Sequence, residues 1–169
     1  MTQPMYAVTF VCMGNICRSP TAHGVFRDKV RQAGWADRVQ VDSAGTHSGR
    51  SGLPPDARSQ QHATRRGYDL SDLRARQLMA ADFERADLLL VMDWDNLERV
   101  RALCPPQHLH KVLRLTEFCQ HHRSPVVPDP YAGGAAGFEQ VLDLIEDACN
   151  GLLAHVATRL AAPQGPGGD

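Results

Sequence analysis

The sequence predicts an α/β fold: a single domain in which a four-stranded parallel sheet is covered by helices on both faces. Three observations predict it. Short apolar, β-rich runs alternate with segments of helical period along the chain. The first and third of these runs, at 5–11 and 86–93, are mostly apolar instead of alternating with polar residues, as in strands buried on both sides. A length of 169 residues with 43% hydrophobic content suits one compact core, and no linker or internal repeat divides it.

The first strand is read at residues 5–11, MYAVTFV, ending at the turn formers Gly14 and Asn15. Ser19 and Pro20 then open a helix in which Ala22, Val25, Phe26 and Val30 recur at helical spacing up to Gly34. Residues 39–45, VQVDSAG, form the second strand, and residues 54–67 a helix opened by Pro and Asp and closed by Gly67. The third strand, 86–93, is the most apolar, with a helix over 95–103 behind it. Residues 111–115 are the fourth strand. The last helix, 137–161, lines up Phe138, Val141, Leu142, Ile145, Ala148, Leu152 and Val156 on one face. Residues 119–136 fit neither period, and a long irregular loop in a compact domain tends to be functional. The domain is expected to span 1–162, with 163–169, PQGPGGD, a disordered tail.

A formal net charge of −1 offers no general attraction for nucleic acid or an anionic membrane, so any charge-based binding must be local. No stretch has the length and apolarity of a membrane span or an export signal, which predicts a cytoplasmic protein. Five cysteines at irregular spacing suit reduced thiols better than a disulfide framework. His108 with His110, and His121 with His122, lack partners at zinc-site spacing and read as surface residues; no metal is expected. Arg65 and Arg66 read as a solvated helix end, and Trp35 and Trp94 as packing residues.

The chemistry concentrates between the first strand and the first helix, in VCMGNICRSPTA. Cys12 stands where a parallel strand ends, the place where such sheets bind ligands. The backbone N–H groups of residues 13–18 would converge there in front of a helix N-terminus, which makes an anion site. The same field, with Arg18, favours thiolate over thiol at Cys12. Gly14 and Asn15 tolerate the positive φ that a cradle-shaped turn requires. Arg18 offers a planar fork able to hold two oxygens of a tetrahedral dianion. Of the five cysteines, only Cys12 has an arginine six residues on.

This loop resembles the signature of the low-molecular-weight protein tyrosine phosphatases, bacterial type. The likeness continues through VDSAGT at 41–46, GYDLSDLRARQL at 67–78, VMDWDNLERV at 91–100 and PDPYAGG at 128–134. The resemblance implies a phosphatase of phosphotyrosine and other aryl phosphate monoesters that releases inorganic phosphate and needs no cofactor. Cys12 is then the nucleophile, carrying a cysteinyl-phosphate intermediate. Met13, Gly14, Asn15, Ile16 and Cys17 form the phosphate-binding loop, and Arg18 holds the phosphate and stabilises the transition state. Ser19 bonds the sulfur, Asn15 braces the loop, and Ser43 and Asp93 support it. Asp129, stiffened by Pro128 and Pro130, is the general acid and base, Tyr131 walls the substrate slot, and Cys17 is a redox partner for Cys12.

Three positions depart from the family pattern. Gly49, between Ser48 and Arg50, stands where relatives usually carry the second aromatic wall of the slot. Ala132 replaces an aromatic after Tyr131, and Leu73 a histidine. Two other functions use the same residues: an arsenate reductase of this fold, and a non-enzymatic oxyanion-binding or redox-sensing module built on Cys12 and Cys17. The first needs a relay of cysteines, for which Cys104, Cys119 and Cys149 show no pattern; the second has no use for Asp129.

Overall fold

The computed structural model describes residues 5–47 and 49–162. The expected tail at 163–169 lies outside them. Four parallel strands, β1 (Tyr6–Cys12), β2 (Val39–Gly45), β3 (Leu88–Val91) and β4 (Val112–Arg114), are ordered β2-β1-β3-β4. Helix α1 (Arg18–Gln32) follows β1, α2 (Ala57–Arg65) and the short α3 (Ala80–Arg85) lie between β2 and β3, and α4 (Trp94–Leu103) follows β3. The chain closes on α5 (Ala135–Ala161). Among the described residues no helix is long and apolar enough to cross a membrane.

The alternation of side chains along β1 divides the core. Val8, Phe10 and Cys12 face α1, α2 and α5, where Phe10 meets Phe26 edge-on at 5.8 Å. Val11, with Ala44, Leu89 and Val91, faces Phe83 of α3 and Leu97 and Val100 of α4. Helices therefore cover both faces. Because β2 and β3 pair with opposite edges of β1, the strand order reverses at β1, and the crevice at its carboxyl end opens there.

Element boundaries differ from the sequence reading for local reasons. α2 begins only at Ala57, because Asp56 is its cap, its carboxylate accepting from the Arg58 N–H at 2.8 Å, while Pro54 and Pro55 precede the cap. The six-residue α3, held by an Asp82 carboxylate that accepts from the Met79 N–H at 2.7 Å, is too short to show a period. The segment 119–134 is irregular, as expected, but firmly held at its start. Asp147 of α5 accepts from the N–H groups of Gln120, His121 and His122 and from the His122 ring. Burial alone would raise that carboxyl, but the N–H groups of His122 and Gln120 outweigh it and hold it well below the usual carboxylate range.

Two readings need correction. Arg66 is not a solvated helix end: it pairs with Glu139, Asp143 and Glu146 of α5 at 2.7, 3.0 and 2.6 Å, because the end of α2 packs on that helix. Trp35 is half-buried against the core, but Trp94 is 55% exposed at the start of α4, with the Arg114 guanidinium 4.2 Å from its ring.

Candidate active site

β1 delivers Cys12, 3% exposed, to the reversal point of the sheet, and α1 begins at Arg18. Between them, one residue among Met13 to Cys17 takes the left-handed conformation: Asn15, at φ 57°. Gly14, expected to share that role, does not. Among the described residues, no backbone N–H from Met13 to Arg18 finds an acceptor in the protein, and Cys17, the N-cap of α1, offers no side-chain cap. A run of unpaired donors at a helix N-terminus attracts an anion.

The loop is braced from beneath. Asn15 Nδ2 donates to Ser19 Oγ at 2.7 Å, and Asn15 Oδ1 accepts from the Arg76 N–H at 3.0 Å, which fixes the amide orientation. Ser19 Oγ lies 3.0 Å from Cys12 Sγ and 3.5 Å from the Ala44 carbonyl. With one lone pair committed to Asn15, the Ser19 hydroxyl has its proton free for either the sulfur or the Ala44 carbonyl. The bracing segment is itself fixed: Arg76 pairs with Asp82 and Asp42 at 2.8 and 2.9 Å, and Gly45 exchanges backbone hydrogen bonds with Arg76 and Leu78. Gly45 must be glycine, since a Cβ there would sit 2.8 Å from the Met13 carbonyl oxygen and 3.1 Å from the Asn15 nitrogen.

Arg18 is 3% exposed, and its hydrogen bonds among the described residues use one nitrogen: Nη1 donates to Asp93 at 2.6 Å and to the Val127 carbonyl at 2.9 Å. Nε and Nη2 form the opposite edge of the fork. Asp93 also caps α4, accepting from the Asn96 N–H at 2.8 Å. Asp129, in the irregular segment, comes within 3.8 Å of Arg18 Nη2 and accepts from the Tyr131 N–H at 2.9 Å. Cys12, Met13, Gly14, Ile16, Cys17, Arg18, Arg50, Asp129 and Tyr131 line one cleft of about 180 Å³. The structure thus brings together residues from three distant parts of the chain. A thiol, a guanidinium fork, unpaired amides and a carboxylate around one point suit transfer of a phosphoryl group.

Two predicted residues, a loop support and a slot wall, lie elsewhere. Among the described residues the Ser43 hydroxyl makes its side-chain hydrogen bond with His23 Nδ1 of α1, 3.0 Å away, and none with residues 13–18. Burial lowers that imidazole to about 4, so it is neutral at physiological pH. Gly49 stands outside the cleft lining, with nothing within 4 Å of its Cβ position, and Arg50 lines the cleft in its place.

Comparison with known proteins agrees with this geometry. The family model described as low molecular weight phosphotyrosine protein phosphatase matches residues 7–162. The chain belongs to that family. A Streptomyces coelicolor low molecular weight protein-tyrosine-phosphatase is 42% identical over 154 residues, covering 89% of this chain and 93% of that protein. The crystal structure of an Entamoeba histolytica protein tyrosine phosphatase superposes with a TM-score of 0.88 at 36% identity, covering 91% and 98% of the two chains. YfkJ from Bacillus subtilis gives 0.87 at 33% identity, covering 94% and 99%. In this low molecular weight phosphatase the cleft has two side-chain walls. One wall is Tyr131, 43% exposed, and the other is the Arg50 side chain, whose guanidinium lies 5.4 Å from the Tyr131 ring and 3.4 Å from its hydroxyl. Leu73, in place of the histidine, is 8% exposed in the core. Sequence reasoning passed over Gly45, Arg76, Arg58 and the Val127 carbonyl; only Gly45 and Arg76, inside matching segments, carried a signal there.

Proposed function

We propose that this phosphatase hydrolyses phosphotyrosine in proteins, and aryl phosphate monoesters generally, through a phosphoryl group carried on Cys12. The observation that supports it most is the unpaired amides of residues 13–18 beside the buried Cys12 and the free edge of Arg18. The dianion lies in this cradle with its phosphorus in line with Cys12 Sγ. Reacting as a thiolate that accepts a hydrogen bond from Ser19 Oγ, the sulfur attacks phosphorus; the S–P bond forms as the bond to the aryl oxygen breaks, and Asp129 gives its proton to the departing phenoxide. Arg18 Nε and Nη2 and the loop amides hold the equatorial oxygens as charge develops on them. In the second step Asp129 takes a proton from water, water attacks phosphorus, and Cys12 leaves as thiolate with release of inorganic phosphate.

Hydrolysis of aryl phosphates, inhibition by vanadate and indifference to chelators are the expected pattern; turnover that requires added metal would sink the reading. Burial favours a phosphatase over a relay of thiols to arsenate, because it pushes the Cys119 thiol up to about 12 and Cys149 higher still. Cys17, likewise raised by burial to about 12, remains a thiol. Peroxide would oxidise Cys12 first to a sulfenic acid, which Cys17 then converts to a disulfide with loss of water. Five free thiols agree with a reducing, cytoplasmic setting.

Two results are expected here. Gly45→Ala pushes a methyl group into the Met13 and Asn15 backbone, which cannot yield as a flexible side chain would. On the order of a 10²-fold fall in kcat/KM follows from displacing the cradle, with weaker competitive inhibition by inorganic phosphate. Gly49→Trp places an aromatic in open space beside the slot. An aromatic contact is worth about 0.5–1.5 kcal/mol, so KM for aryl phosphates should fall about 2- to 10-fold, while KM for alkyl phosphates stays put in a steady-state comparison.

A further inference from the structure

Arg58, in the first turn of α2, reaches across to the turn that follows Asp129. Its Nη2 donates to the Tyr131 carbonyl at 2.8 Å and its Nη1 to the Gly133 carbonyl at 3.4 Å. The guanidinium lies 5.5 Å from the centre of the Tyr131 ring and 4.7 Å from that of Phe138. Its stem end is held by Asp56, with Nε 3.2 Å from Oδ1 and Nη2 3.3 Å from Oδ2. Asp56 is in turn fixed to the phosphate-binding loop, its N–H donating to the Ile16 carbonyl at 2.7 Å. At the other end, the Tyr131 N–H donates to Asp129 Oδ1 at 2.9 Å.

One continuous path of hydrogen bonds therefore runs from Ile16 through Asp56, Arg58 and Tyr131 to Asp129. The residues before Asp129 have their own anchors, since the Val127 N–H bonds the Met92 carbonyl and the Val127 carbonyl receives Arg18. Those after it differ. Among the described residues, the side-chain hydrogen bonds that tie 130–134 to other parts of the chain come from Arg58 and from Arg50, and the Arg50 contact is long.

We propose that Arg58 is a positioning residue for proton transfer: it fixes Asp129 at a set distance from the phosphate held on residues 13–18. The inference rests on reading Asp129 as the general acid. A proton donor works only within hydrogen-bond reach of the atom it protonates, and a planar fork bridging two backbone carbonyls holds a turn as a single ammonium cannot. Placement matters most for basic leaving groups, which depart only as the proton arrives. A leaving group stable as an anion departs without it.

The test is kcat/KM, which reports formation of the phosphoenzyme, across aryl phosphates of rising leaving-group basicity from p-nitrophenyl to phenyl phosphate. Arg58→Met keeps an apolar stem near Tyr131 and Phe138. It should leave p-nitrophenyl phosphate nearly unaffected and lose about 10-fold or more on phenyl phosphate, the scale of a small misplacement. Inhibition by inorganic phosphate should not move. Arg58→Lys, which retains the charge but not the fork, should fall between, and it carries the same test if the methionine variant folds poorly. Asp129→Asn should tilt the series the same way and further, by about 10²–10⁴ on the basic end. Equal losses across the series in both Arg58 variants, or weakened phosphate inhibition without a tilt, overturn the inference while Asp129→Asn still tilts. A flat series for Asp129→Asn removes the general-acid reading itself, and the inference with it.

Discussion

Serine in place of Cys12 is expected to abolish hydrolysis of aryl phosphates, a fall on the order of 10⁶-fold in kcat, the scale seen when a covalent nucleophile is removed. The substitution is nearly isosteric, so Ser19, Asn15 and the loop amides stay in place around it. What changes is the attacking atom, because a hydroxyl in the same place is a far weaker nucleophile toward phosphorus than sulfur. Binding should therefore survive chemistry: calorimetric titration with inorganic phosphate should give an affinity close to that of the parent. A variant retaining more than a few per cent of the parent rate would show that some other group attacks phosphorus.

The second large effect is expected at Arg18, where lysine should cost about 10²–10³-fold in kcat/KM. One edge of the guanidinium is spent on Asp93 at 2.6 Å and Val127 at 2.9 Å, and the other faces the cleft. An ammonium cannot serve both edges at once. If lysine turns toward the phosphate, the Asp93 carboxylate loses its buried partner; if it turns toward Asp93, the equatorial oxygens lose theirs. The loss should appear in kcat and in the affinity for phosphate together, because both ground state and transition state carry those oxygens. Thermal melting of the variant separates this from unfolding. Activity within a few-fold of the parent would mean that the amides alone hold the phosphoryl group.

The fold was legible because burial on both faces leaves a plain mark. Residues 88–92 are apolar in unbroken succession, and β3 is fully buried. Cys12, Arg18 and the loop between them were legible for a local reason: strand, turn and helix follow one another in a single stretch, and the anion site is made of that stretch alone. Asp129 was different. Nothing in residues 119–136 except family likeness distinguishes its carboxylate from a turn-forming Asp-Pro, and its place beside Arg18 depends on contacts with Met92, just past β3, and with Arg58 of α2.

The parts that stayed hidden depend on residues meeting across long separations. Arg76 acts through its backbone N–H and Gly45 through what it lacks, so neither shows a side-chain pattern. Arg58 joins Tyr131 across 73 residues of sequence. Ser43 was assigned to the loop by likeness, but His23, on α1, takes its hydroxyl instead. Trp94 looked like a core residue by type; its position in the first turn of α4 puts it at the surface, against Arg114.

The most direct test of this account is to identify the atom that carries phosphate during turnover. Asp129→Asn, given p-nitrophenyl phosphate and quenched in alkaline denaturant within the first turnovers, should yield a phosphorylated peptide by mass spectrometry, with the group on Cys12. The Cys12→Ser protein treated alike should yield none. A phosphoryl group on any other residue, or an unmodified Cys12 while p-nitrophenol is being released in a burst, would contradict it.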